Sequence, residues 1–272
     1  MSAIVTAESV TQLGPEVRGA VLVAGSHGGI IAACLAARSG ARAVILNDAG
    51  VGKDAAGIAG IAWLETFGMA AAAVAHTSAR IGDGADSLAR GVISQRNAGA
   101  AACGVVAGMS CREAALRLAT APMPRTLPPP YAEGRYPVET VAGAREIWAL
   151  DSVGKIEPAD AGRVLLIGSH CALHGGRAAS ALPVRAYAAV FHDAGAGAAG
   201  VTRLPVLASW GIAAVAVSAA SARIGDGRSI WETGILSHVN EVAYAHGAHR
   251  GMTAAAFARA LAAAGSAGAP AH

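Results

Sequence analysis

Ser78-Ala79-Arg80-Ile81-Gly82-Asp83-Gly84 recurs without a change as Ser221-Ala222-Arg223-Ile224-Gly225-Asp226-Gly227, 143 positions later. Gly25-Ser26-His27 returns as Gly168-Ser169-His170 at the same offset, and Asp48-Ala49-Gly50 as Asp193-Ala194-Gly195, two positions out of phase. The edges match as well: Glu8-Ser9-Val10 pairs with Asp151-Ser152-Val153, and Gly91, Ser94 and Asn97 pair with Gly234, Ser237 and Asn240. Such an offset marks an internal duplication of a unit of about 120 residues, too long for a solenoid repeat and the size of a small domain.

Within each copy, short apolar runs alternate with helical patterns. Arg18 to Ala24, Ala41 to Leu46 and Met69 to Ala75 read as buried strands. Ile30 to Arg38, Asp54 to Phe67 and Asp86 to Cys103 read as helices. Ser110-Cys111-Arg112-Glu113 is a capping box that opens another helix. A β-α-β-α-β-α order predicts an α/β protein with a parallel sheet. The expected architecture is an internally duplicated pair of Rossmann-like units related by a pseudo-two-fold: residues 1–121, a proline-rich linker at 122–143, residues 144–265, and a tail at 266–272. Residues 122–137 hold six of the eleven prolines, which fits an extended connection.

Composition narrows the function classes. Hydrophobic residues make up 54% and charged residues 14% of the 272-residue chain, enough apolar matter for one or two cores. A formal charge of +3, with scattered arginines and few aromatics, argues against a nucleic-acid partner. The longest apolar runs fall short of the ~18 residues a membrane span requires, so no membrane partner is expected. Four cysteines lack C-x-x-C spacing and the N-terminus lacks a signal-peptide pattern, which leads to an expected cytoplasmic setting. A homo-oligomer is expected, with a small-molecule substrate as the partner and no cofactor.

In open parallel sheets, ligands bind beyond the carboxyl ends of the strands, and all three repeated polar motifs fall there. Gly25, Gly28 and Gly29 surround Ser26 and His27 in a turn whose backbone N–H groups suit a carboxylate or phosphate. Ser26 is a candidate nucleophile and His27 a candidate base; the alternative is a serine cap with glycines required by a tight turn. Asp48 and Asp193 suit the orienting of a histidine or the binding of a ligand hydroxyl, or else an Asx turn. Arg80 and Arg223 suit an anion clamp, or a brace to Asp83 and Asp226. Lys53 and His76 occur only in the first copy and are candidates for proton transfer, against ordinary loop and core roles. The second copy carries Cys171-Ala172-Leu173-His174 as an insertion. There His170, His174, His192, Asp193 and Asp226 permit a divalent-metal reading, although no stringent ligand spacing is present and no metal is expected. Gly195 to Gly200 matches G-x-G-x-x-G, but Pro205 falls in the following helix and the first copy breaks the spacing, so a dinucleotide site is not expected. The three-residue spacing of Gly91, Ser94 and Asn97 reads as a helical packing face, with Ser94 and Asn97 as capping or network groups.

The expected function is that of a small-molecule enzyme hydrolysing an amide or ester in a carboxylate-bearing substrate. Ser26, His27, Asp48, Lys53, His76 and Asp83 are the catalytic candidates. Gly25, Gly28, Gly29, Arg80, Ser169, His170, Asp193, Arg223 and Asp226 are the binding candidates. The alternatives are a non-catalytic phosphate- or nucleotide-binding protein and a metal-dependent lyase or hydrolase.

Overall fold

A computed structural model of the chain describes residues 3–139 and 143–264. They form an α/β fold with two mixed, mostly parallel sheets and interleaved helices, in the duplicated Rossmann-like layout expected from the repeat. The chain divides into two compact units. One comprises residues up to Ala132 with His174–Gly176 and Gly195–Gly200; the other comprises Glu133–Leu173, Arg177–Ala194 and the chain from Val201.

The first unit runs β1 (Ile4–Ala7), β2 (Val21–His27), α1 (Ile30–Arg38), β3 (Ala43–Asn47), α2 (Ala59–Glu65), β4 (Ala70–Val74), α3 (Gly84–Arg90), β5 (Ile93–Arg96), α4 (Ala98–Ala102) and α5 (Cys111–Leu118). Its described strands lie in the order β1-β2-β3-β4-β5, the first four parallel and β5 antiparallel to β4. Strand period two sends Val21, Val23, Ala43, Ile45, Ala70 and Ala72 into one core with α4 and α5. It sends Leu22, Ala24, Val44, Leu46, Ala71 and Ala73 into another with α1 and α2. Burial on both faces is why these strands read as unbroken apolar runs rather than alternating ones.

Two expectations change here. Asp86 to Cys103 is not one helix. Gly91 ends α3, its N–H donating to Ser87 O at 2.9 Å, and the next residues pair with β4 as β5. Isoleucine and serine are weak helix formers, so a waiting sheet edge overrides the local preference. Ser94 therefore lies on a strand and Asn97 caps α4, and the two share no helical face. The stretch read as an extended linker also contributes structure: Arg135–Glu139 is a strand. Before it, Pro128 O and Pro129 O accept hydrogen bonds from Arg38 and the Cys34 thiol.

The second unit runs β6 (Arg135–Glu139), β7 (Ile147–Leu150), β8 (Val164–His170), β9 (Ala188–His192), α6 (Arg203–Ser209), β10 (Ala213–Val217), α7 (Gly227–Thr233), β11 (Leu236–Val239), α8 (Glu241–Ala245) and α9 (Ala254–Ala263). The described order is β11-β10-β9-β8-β7-β6, with β7 to β10 parallel and both edge strands antiparallel. Pro137 is tolerated because β6 is an edge strand.

The repeat is not complete. Between β8 and β9, where the first unit has α1, the chain makes an irregular crossover with two short turns, His174–Gly176 and Ala178–Ser180. A crossover without a helix leaves backbone carbonyls without the partners a helix would provide. Arg203, 1% exposed, supplies them: its guanidinium donates to Ala172 O, Ser180 O and Ala181 O and lies over the Phe191 ring. Burial drives the Arg203 pKa down to about 10, yet it stays a cation at neutral pH.

Candidate functional site

The repeated motifs are first of all a mechanical clamp. The chain leaving β4 crosses the carboxyl edge of the sheet to start α3 against β1 and β2. On the way Gly82 N–H donates to Gly25 O at 2.7 Å, and Gly225 repeats the bond to Gly168 O at 2.8 Å. A β-carbon on Gly25 would lie 2.1 Å from the backbone nitrogen of Asp83, and one on Gly168 would lie 2.5 Å from that of Asp226, both far inside contact distance. These glycines exist for the approach of one backbone to another. Gly28 and Gly29 are likewise closed in by Gly57 O and Ala56 O, where α1 meets the chain leading into α2.

The polar members of the motifs reinforce the crossing. Ser26 is buried and its Oγ accepts Val10 N–H at 3.0 Å; Ser169 does the same for Val153 N–H at 3.0 Å. His27 Nδ1 accepts Gly29 N–H, and His170 Nδ1 accepts Ala172 N–H. Asp83 caps α3 through Asp86 N–H at 2.9 Å, and Asp226 caps α7 through Ser229 N–H at 2.8 Å. Arg80 pairs with Asp86 at 3.1 Å and Asp83 at 3.6 Å, while Arg223 pairs with Asp226 at 2.9 Å. Burial alone would raise the Asp86 carboxyl. The Arg90 hydrogen bond, the Arg80 N–H and both guanidinium charges outweigh it and hold the group below the usual carboxylate range.

His192 belongs to the same framework. It replaces Asn47 at the end of the third parallel strand of its sheet. Its Nε2 donates to Ala222 O at 2.8 Å, as Asn47 Nδ2 donates to Ala79 O at 3.3 Å. Burial lowers the His192 pKa and keeps the ring neutral. His174 is buried at the start of a one-turn segment, His174–Gly176, that clusters with the first unit. Among the described residues no three His, Cys, Asp or Glu side chains converge as metal ligands, so the five residues of the metal reading do not assemble.

One constellation is not explained by the clamp. Asp48 follows β3, its side chain 7% exposed, and Oδ1 accepts Gly50 N–H at 3.0 Å, His76 N–H at 2.8 Å and His76 Nδ1 at 2.9 Å. Ser94 Oγ, from β5, donates to the other carboxylate oxygen at 2.8 Å. The hydrogen bond to this carboxylate places the proton of a neutral His76 on Nδ1. Nε2 is left with the lone pair on a ring that is 31% exposed. A buried aspartate orienting a partly exposed imidazole is the arrangement of a general base and its positioning group.

The loop beside the pair is strained. Ala49, Val51, Asp54 and Ala55 have φ of 51°, 64°, 54° and 55°. A β-branched residue such as Val51 is disfavoured there because its side chain crowds the backbone, and such outliers cost about 1–3 kcal/mol each. The loop carries Lys53 in a single turn, Lys53–Ala55. Its Gly50 borders the His76 ring: a β-carbon there would make ordinary van der Waals contact with Cε1 and Nε2 at 3.6 Å.

Asp48 and His76 are thus brought together, with Lys53 on the adjoining loop, whereas Ser26, His27 and Asp83 are engaged elsewhere. Ser94, expected from the sequence as a capping or network group on a helical packing face, is a network group on a strand and meets Asp48 across 46 residues. A separate hollow of about 280 Å³ is lined by Thr6, Glu8, Ser9, Gln12, Glu16 and Asp83. Its carboxylates make it a poor seat for an anion. Asp193 occupies the position of Asp48 in the second unit, Oδ1 accepting Ala219 N–H at 2.7 Å.

Fold and site together define an α/β protein of duplicated units with an aspartate-oriented histidine at a carboxyl sheet edge. Comparison with known proteins finds no matching family model, no matching curated protein and no matching solved structure. Among the described residues no helix is long and apolar enough to cross a membrane.

Proposed function

We propose that this protein is a small-molecule hydrolase of amide or ester bonds in carboxylate-bearing substrates, with His76 as general base. The observation that carries the reading is the 2.9 Å bond from His76 Nδ1 to a buried Asp48, which leaves Nε2 to act. Nε2 takes a proton from water, and the hydroxide adds to the substrate carbonyl. The imidazolium, stabilised by Asp48, then returns the proton to the departing amine or alkoxide as the carbon–heteroatom bond breaks. Ser26 is less suited as nucleophile because its buried hydroxyl already holds Val10 N–H. The substrate carboxylate is assigned to the loop that carries Lys53, because that loop adjoins His76 through Gly50.

The test is release of p-nitrophenol from a set of carboxylate-bearing aryl esters, with thermal shifts to rank ligands. His76→Ala is expected to lower turnover by about 10²–10⁴-fold with folding intact. Undiminished turnover in His76→Ala, or no turnover of any such ester or amide by the parent chain, removes the reading.

A further inference from the structure

The second unit has no histidine after its β10: Ala219 stands where His76 stands. Its aspartate is nonetheless held in the same pose. Asp193 N–H donates to Val217 O at 2.9 Å, as Asp48 N–H donates to Val74 O at 2.9 Å, and Oδ1 accepts the N–H of residue 219 as Asp48 accepts that of residue 76. What changes is the other oxygen. In the first unit Ser94 Oγ from β5 lies 2.8 Å from Oδ2 and 3.3 Å from Ala73 O; in the second, Ser237 keeps the matching carbonyl bond, to Ala216 O at 3.1 Å, and His238 stands beside the carboxylate.

His238 Nδ1 lies 4.0 Å from Asp193 Oδ2 and 3.1 Å from Ser237 Oγ. Because Ser237 spends its hydroxyl proton on Ala216 O, its oxygen accepts from His238, which places the imidazole proton on Nδ1. Nε2 then carries the lone pair, as in His76, and the ring is 39% exposed against 17% for Asp193. At the matching position of β5 the first unit has Gln95, so the histidine is a feature of the second copy alone.

We infer that the second unit carries its own acid–base site, Asp193 with His238, in which the histidine has moved from the loop after the fourth parallel strand to the antiparallel edge strand. Ser237 Oγ orients the ring and the Asp193 carboxylate, 4.0 Å from Nδ1, supplies the charge beside it, so loss of the histidine at 219 is offset by one at 238. The substrate class, small carboxylate-bearing amides and esters, rests on the reading proposed for the first unit.

Histidine ring nitrogen shifts followed by NMR on the full chain test the pairing without a substrate. Asp193→Asn keeps an acceptor for Ala219 N–H and removes the charge. It is expected to move the ring nitrogen signals of His238 and leave those of His76 in place, while Asp48→Asn does the reverse and His238→Gln identifies the resonance. His238 signals unmoved by Asp193→Asn overturn the proposal. With p-nitrophenyl hemisuccinate as probe, partial turnover in His76→Ala that disappears on adding His238→Gln supports a second working site. Complete loss in His76→Ala alone overturns it. If the parent does not cleave the ester, the hydrolase reading fails by itself and the ring nitrogen signals decide the pair.

Discussion

Asn97 is the sharpest place to test the structural reasoning, because its counterpart Asn240 is an internal replicate. Asn97 Oδ1 accepts Ala71 N–H and Ala100 N–H, both at 3.0 Å, and Nδ2 donates to Ile61 O at 3.2 Å and Met69 O at 2.8 Å. Asn240 makes the same four bonds, to Ala214, Ala243, Leu204 and Ile212, at 2.8–3.3 Å. Both side chains sit in buried residues, 5% and 6% exposed. Truncation to alanine strands two N–H and two C=O groups. Losing the helix cap costs about 1 kcal/mol. Each further stranded group costs about 1–3 kcal/mol where water cannot reach it. Allowing one or two of them to find water, Asn97→Ala and Asn240→Ala should each lose about 3–5 kcal/mol, a large share of a typical domain's ~5–15 kcal/mol. Urea unfolding followed by circular dichroism measures this as a fall in midpoint at unchanged slope. Aspartate at either position keeps both acceptors but turns a carboxylate oxygen toward two carbonyls. That raises its folded pKa, so the variant should gain stability as pH falls and the carboxyl becomes a donor. A loss below about 1 kcal/mol at both positions would refute the bond inventory as the reason this asparagine occurs in both copies.

Gly25→Ala should prevent or severely destabilise folding, since its β-carbon has no space beside Asp83, whereas alanine at Gly108, with open space around it, should cost only the strain of its φ of 84°; soluble yield and melting temperature compare them. His192 is held neutral below its ordinary value of 6.5, so its contribution is whole above pH 6.5 and is lost as pH falls, when the unfolded chain takes up a proton that the folded one refuses. His192→Asn, which borrows the residue of the first unit at this place, should flatten the stability–pH curve between pH 6.5 and the folded midpoint; an unchanged slope counts against the burial explanation. Burial pushes the Asp160 carboxyl up, but hydrogen bonds from Arg135, the Glu157 N–H and Arg163, with the Arg135 charge, pull it further down, below 3.8. That contribution is present above pH 3.8 and disappears on acidification, so Asp160→Asn should lower stability near neutrality and weaken the acid dependence of the midpoint. Burial raises the Cys111 and Cys171 thiols to about 12, and iodoacetamide at pH 8 should leave both unmodified until the chain is unfolded.

The sequence by itself determined the duplication, the strand–helix alternation and the α/β class, because apolar period and a constant offset are properties of the linear chain. It also placed Asp48 and His76 among the candidates, since both follow predicted strands and such ends gather on one edge of a parallel sheet. Only the tertiary structure decided what the repeated motifs do. Identity between copies preserves a folding clamp as faithfully as a catalytic group, and nothing in Gly25 or Gly82 reveals that their backbones touch until the crossing is seen. The same holds for β5, four residues whose state is set by the free edge of β4 rather than by their own preference. The absence of a second α1 left carbonyls that a distant Arg203 came to satisfy. Ser94 and Asp48, or His238 and Asp193, meet because a bent edge strand returns past the end of its neighbours. That meeting depends on three-dimensional closure over more than forty residues, a distance at which linear spacing carries no directional information.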